Sequence, residues 1–217
     1  MEKKRMIAGI ILFGSIWGFS ECIIGSYLRD AGLPAGAIMT AIFAIGLMTA
    51  TRILYKQPGM QLGMGVVAGT FRLINPFTGC FICSAIAIMA EGAIFELMWY
   101  HMSRDLIEVK KLKLSISMGI ISAYVLYVAG FIVTQITTPL LTSAGFHFSD
   151  LLSFLPQILS RGLLAALIGG ITVPAVSALR NFDISSISAK RYYATSTSIA
   201  ALCWIVVILN TLFFLGA

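Results

Sequence analysis

Long apolar runs separated by short polar segments divide the chain into seven stretches, with most charges in the gaps. The runs cover residues 6–27, 34–54, 59–75, 80–101, 114–138, 158–178 and 195–216. A hydrocarbon core about 30 Å thick needs roughly 20 apolar residues per spanning helix, and most of the runs reach that length. Lipid offers the backbone no hydrogen-bond partner, and the runs are too long and continuous for barrel strands, so each is expected to be a helix. The pattern predicts an all-α, polytopic transmembrane bundle of about seven spans, built as one integral membrane domain over residues 1–217. The third run, Gly- and Met-rich from Gly59 to Asn75, is short. It is expected to tilt, break or re-enter, and a re-entrant segment would leave six spans.

Hydrophobic residues make up 59% and charged residues 11% of the chain, with a mean hydropathy of +0.94, which leaves little for a soluble domain. A pI near 9.3 would suit nucleic-acid binding. Here the basic residues sit at the helix ends, so topology explains them and no nucleic-acid partner is expected. With the N-terminus cytoplasmic, the inner segments hold Lys3, Lys4, Arg5, Arg52, Lys56, Arg104, Lys110, Lys111, Lys113, Arg180, Lys190 and Arg191. The outer segments hold only Arg29. Making the third run re-entrant would invert every later segment against this bias, which favours seven crossings in a cell membrane. Gly14, Trp17, Gly18, Glu21 and Cys22 interrupt the first run, so it reads as a membrane helix rather than a signal peptide. The alternation of Phe146–Pro156 in the longest outer segment predicts an interfacial helix or a lid over the bundle.

Ionisable groups inside lipid need a partner, a cavity or a function. Glu21, Arg72 and Arg161 are placed toward the outer side, Glu91 near mid-membrane and Glu96 about a turn deeper. Cys22 follows Glu21, and Asn75 follows Arg72 by one turn. Two readings stand: Glu21 pairs with an arginine as buried glue, or the group forms an outward-facing pocket in which an arginine meets an anionic or carbonyl group of a ligand.

Cys80 and Cys83 lie one turn apart at the outer start of the fourth run. They read as apolar packing, a redox pair, or a soft-metal site with Cys22 and Glu21. His101 and His147 fall at opposite faces and cannot share one site. The scattered methionines read as core filling. Small residues recur four apart at Gly14 and Gly18, Ala37 and Ala41, Gly59 and Gly63, and Gly65 and Gly69. Such pairs let helices approach closely, within the bundle or against a partner. No hydrolase motif and no phosphate-binding loop occurs in the chain, so no ATPase activity is expected.

Three stretches resemble the substrate-binding S components of energy-coupling factor (ECF) transporters. They are the loop Gly25-Ser-Tyr-Leu-Arg-Asp-Ala-Gly-Leu-Pro34 after a Gly/Ala-rich first helix, a short second helix reaching Arg52, and the run Gly59-Met-Gln-Leu-Gly-Met-Gly-Val-Val-Ala-Gly69. Together they cover about the first third of the chain. The resemblance implies capture of a vitamin-like molecule or a metal ion in an outward-facing cavity. It also implies release inward through a transmembrane coupling subunit and paired ATPases. The family's small-residue partner contact would fall on Gly14 and Gly18. Seven spans depart from the six of most such proteins. The N-terminus lacks the histidine of the metal-specific branch, which points to an organic substrate and no metal site.

The resulting expectation is a membrane solute-uptake protein, not an enzyme and without a cofactor. Arg72, Asn75, Glu21 and Arg161 are expected to orient the ligand's polar groups, and Trp17, Phe71 and Phe77 to pack its apolar part. The rival readings are a membrane thiol oxidoreductase using Cys80 and Cys83 with a quinone, and a structural subunit of a larger membrane complex.

Overall fold

The apolar runs become seven helical rods, with all regular structure among the described residues helical. A computed structural model describes residues 3–76, 80–101, 112–142 and 148–215. The rods are α1 (Lys3–Asp30), α2 (Ala35–Tyr55), α3 (Met60–Ile74), α4 (Phe81–His101), α5 (Leu112–Thr142), α6 (Phe148–Val176) and α7 (Ala189–Leu215). All but α3 are long and apolar enough to cross a membrane. The chain is a multi-pass helical membrane protein.

The third run does not break. It is one continuous helix of 15 residues, about 22 Å long at 1.5 Å per residue, and so falls short of the hydrocarbon thickness. Its small residues let it pack closely against α4. A Cβ on Gly69 would lie 2.7 Å from Met89, and one on Gly65 would lie 3.2 Å from the Gly92 backbone. The α3 and α4 backbones therefore approach where glycine faces glycine. At the start of α3, Glu96 of α4 accepts hydrogen bonds from the backbone N–H groups of Gly59 and, at 3.0 Å, Leu62. A carboxylate there satisfies otherwise orphaned donors and complements the helix dipole. That is the structural use of one of the acids in the apolar runs.

Helices α1, α3, α4, α5 and α6 pack successively side by side, and α2 fills the middle against α6, α1 and α3. The apolar window of α2 is 67% buried, against 28–39% for the other five spanning helices, so α2 forms the bundle's core. Helix α7 lies outside, on the flank of α1, where Trp204 donates to Ser15 Oγ at 3.1 Å. The additional C-terminal span is thus a peripheral helix added to a six-helix core.

The described part of the amphipathic stretch Phe146–Pro156 is not a separate element. From Phe148 onward it is the first part of α6, continuous through Pro156. Residues 143–147, with His147, lie outside the described part, as does the inner segment containing Arg104, Lys110 and Lys111.

The two ends of the bundle differ in charge. Lys3, Lys4 and Arg5, Arg52 and Lys56, Lys113, and Arg180, Lys190 and Arg191 all lie at one end. Arg5 ties that end together, donating to the carbonyls of Ile184 and Ile187 at 3.3 and 3.0 Å.

Candidate functional site

Both α1 and α2 contain a single π turn, at Ser20–Ile24 and Thr40–Ala44 respectively. A π turn inserts one residue into the helical register and recurs at functional sites in proteins. Glu21 sits in the first turn and Thr40 in the second. Ser20 and Ser26 donate back to the carbonyls of Ile16 and Cys22 at 2.8 and 2.7 Å on either side of the Glu21 turn. The α1–α2 connection closes tightly through Gly32, whose φ of +73° only glycine adopts without strain.

Between these turns and the other helices lies a cavity of about 400 Å³ at the end opposite the basic one. All six core helices contribute to it, through Glu21 and Arg29 of α1, Gly36 and Met39 of α2, Arg72 of α3, Ser84 of α4, Tyr127 and Phe131 of α5, and Arg161 of α6. No residue of α7 lines it. Its polar groups are held in place. The Trp17 indole N–H donates to Glu21 Oε1 at 3.3 Å, Arg72 Nε donates to Ser84 Oγ at 3.2 Å, and Arg29 donates to Ser26 Oγ at 3.0 Å. Arg161 interacts with the Tyr127 hydroxyl.

A smaller chamber of about 140 Å³ shares the walls formed by Glu21, Gly36, Ser84, Tyr127 and Phe131. Thr40, Glu91, Gly130 and Thr134 complete it, and Thr40 Oγ1 donates to Glu91 Oε1 at 3.0 Å. The site is therefore an outer, arginine-bearing vestibule continuing into an inner, carboxylate-bearing chamber.

Charge placement sets this cavity apart from the rest of the bundle. The described lysines and arginines that do not lie at the basic end are Arg29, Arg72 and Arg161, and all three line the vestibule. No family model, curated protein or solved structure matches the chain. The functional reading therefore stands on this geometry and on the sequence.

The structure brings together Glu21, Arg72 and Arg161 from three helices, as the expected pocket requires. The other expected ligand contacts lie elsewhere. Trp17 and Phe71 are completely buried and line neither chamber. Phe71 packs against Trp204 of α7 with ring centroids 4.1 Å apart, and Trp17 reaches the site only through its hydrogen bond to Glu21. Asn75 also turns to α7, donating to Thr211 Oγ1 at 3.2 Å and Asn210 Oδ1 at 3.5 Å. Nothing in the sequence says which way these three side chains point. Phe77 lies outside the described residues.

Gly14 and Gly18 face inward, onto α3. A Cβ on Gly14 would lie 2.7 Å from Val67, and one on Gly18 would lie 2.6 Å from Phe71. This face of α1 is occupied within the chain.

Cys80 and Cys83 form a disulfide, with Cα atoms 5.3 Å apart, so packing as two free thiols is corrected. Disulfides persist in oxidising compartments. This one lies at the vestibule end, where Cys80 precedes α4. Cys83 is completely buried, while Cys22 and Cys203 are free and buried. The described residues contain no group of three or more His, Cys, Asp or Glu side chains able to hold a metal.

Arg29, Ser84 and Tyr127 also line the cavity, beyond the residues expected there from the sequence. Arg29 did carry a signal, as the one basic residue in an outer segment. Ser84 and Tyr127 carried none, since a serine or tyrosine in an apolar helix is unremarkable until a cavity opens beside it.

Proposed function

We propose that this protein takes up a small organic anion from the outer side of a membrane. The vestibule captures a carboxylate- or phosphate-bearing, vitamin-like molecule, and release to the inside depends on a partner ATP-driven module. One observation carries the reading: the three arginines away from the basic end converge from α1, α3 and α6 on one cavity. Arginines clustered in a partly desolvated pocket favour anions, because the guanidinium presents several donors in a planar fork. A volume of about 400 Å³ falls within the range typical of small-molecule sites. Met39 and Phe131 supply apolar wall beside the charges. In this reading the energy for release comes from another subunit, since the chain carries no phosphate-binding loop of its own. This is the arrangement implied by the resemblance to ECF S components.

The test is purification from native membranes in mild detergent, with mass spectrometry of co-purifying proteins and metabolites. A coupling subunit with ATPases and a retained organic anion support the proposal. Recovery of neither refutes it.

The Cys80–Cys83 disulfide favours a second reading, thiol oxidation coupled to a quinone. Exchange requires a thiolate to reach one of the sulfurs. Cys83 is completely buried and Cys80 is partly covered, so attack would have to come at Cys80. A quinone and thiol-linked partner proteins in the same preparation would move the assignment to this pair.

A further inference from the structure

We propose that the inner chamber is a subsite for a monovalent positive charge, so that the occupied site holds an anionic group in the vestibule and a cationic one beneath it. The inference rests on the uptake reading above and specifies what that site binds. The cation has two possible sources with the same chemistry: an ammonium or heteroaromatic cation belonging to the substrate itself, or a co-bound sodium ion.

Three observations converge on the chamber. First, its charge is opposite to that of the vestibule. Glu91 and Glu21 both line it, and no Lys, Arg or His among the described residues does so. Second, Glu91 is more than nine-tenths buried, and among the described residues Thr40 is its one hydrogen-bond partner, through Oε1. Its other carboxylate oxygen has no hydrogen-bond partner among the described residues, although a buried carboxylate is costly unless a charge or donors satisfy it. Third, the walls provide the oxygens that a small cation uses. Thr40 and Thr134 line the same 140 Å³ chamber as Glu21 and Glu91. Thr40 and Thr134 spend their protons on Glu91 and on the Gly130 carbonyl, so their lone pairs remain available to a cation.

Gly130 completes the arrangement. A Cβ there would lie 2.9 Å from Glu91 Oε1, so glycine at this position in α5 makes room for the carboxylate. The chamber and vestibule share five wall residues, and one extended ligand can therefore reach both. A substrate with separated charges would satisfy the arginines and Glu91 together. A purely anionic substrate would leave Glu91 to a sodium ion.

The test uses the full-length protein in lipid nanodiscs. In one arm, the thermal unfolding midpoint is measured in sodium chloride and in N-methyl-D-glucamine chloride. In the other, the protein is incubated with a metabolite extract of the source cells and the retained small molecules are identified by mass spectrometry. Both arms compare wild type with Glu91→Gln, Gly130→Ala and Arg72→Ala. A sodium-specific rise in midpoint that Glu91→Gln abolishes identifies a co-bound ion. Retained molecules that carry a cationic nitrogen, and fall at least tenfold in Glu91→Gln, identify the substrate's own charge.

If Glu91→Gln does not yield monodisperse protein, Gly130→Ala decides, because its methyl group presses on the same carboxylate. Retained anions released by Arg72→Ala but not by Glu91→Gln or Gly130→Ala, with no sodium effect, overturn the cation subsite and leave the uptake reading standing. No retained molecule and no sodium effect overturn both.

Discussion

The Thr40 hydroxyl donates to Glu91 Oε1 at 3.0 Å, joining the π turn of α2 to the middle of α4 across the floor of the cavity. Both residues are more than nine-tenths buried. The bond therefore fixes the position of a largely buried carboxylate. Replacing Thr40 with Val keeps the shape and removes the donor. We expect a loss of about 1–3 kcal/mol, the usual effect of leaving a buried acceptor unsatisfied. It would be read as a lowered unfolding midpoint in nanodiscs, and an unchanged midpoint would mean that the bond contributes nothing.

Loss of a vestibule arginine should weaken ligand retention according to burial. Arg72 is 2% exposed and bonded to Ser84, whereas Arg161 is exposed at the mouth. A charge-assisted hydrogen bond contributes roughly 1.5–3 kcal/mol, so Arg72→Ala should reduce affinity about 10- to 100-fold. Arg161→Ala should cost less. Dissociation constants for the retained metabolite decide the order, and equal effects would contradict it.

Gly14 and Gly18 give a prediction that separates internal packing from partner docking. Gly18→Val would drive its side chain into Phe71, because even a Cβ comes within 2.6 Å of that ring. Overpacking of this kind costs about 1–3 kcal/mol. The isolated protein should melt earlier. If its stability is unchanged while a co-purifying subunit is lost, the glycine face serves a partner instead.

Glu96 should matter for stability and not for binding. Its carboxylate accepts from Gly59 and Leu62 at the start of α3, at the end of the bundle away from the vestibule. Glu96→Gln should cost about 1 kcal/mol, the usual scale of a charged group at a helix N-terminus. Ligand retention should stay at the wild-type level, and a tenfold fall would connect this end to the site.

The orientation can be read by impermeant thiol labelling of single-cysteine variants. Asp30, beside the vestibule, and Lys56, at the basic end, are both exposed. In intact cells Asp30→Cys should label and Lys56→Cys should label only after the membrane is opened. The reverse pattern would invert the topology and the direction of uptake.

Several features of the site could be read from the chain, and the reasons differ by residue. Glu21, Arg72 and Arg161 stood out because a charge in an apolar run is expensive wherever it points. For Trp17, Phe71 and Asn75 the sequence carries no sign of which way the side chain points. The structure turns Phe71 and Asn75 to α7, where Trp204 and Thr211 wait for them. That last span had no visible role in the sequence. Cys80 and Cys83 were legible as a pair, but only the fold shows them joined.

The sequence by itself determined the number and kind of elements and the basic end. Apolar run length and Lys/Arg placement are local properties, enforced by a solvent that hydrogen-bonds nothing. Only the tertiary structure decided which polar groups share a space. Rotation of each helix about its axis depends on every neighbour, and two π turns shift the register at the positions that matter. The convergence of Arg29, Arg72 and Arg161 above Glu91 is a consequence of that packing, which no single run of residues encodes.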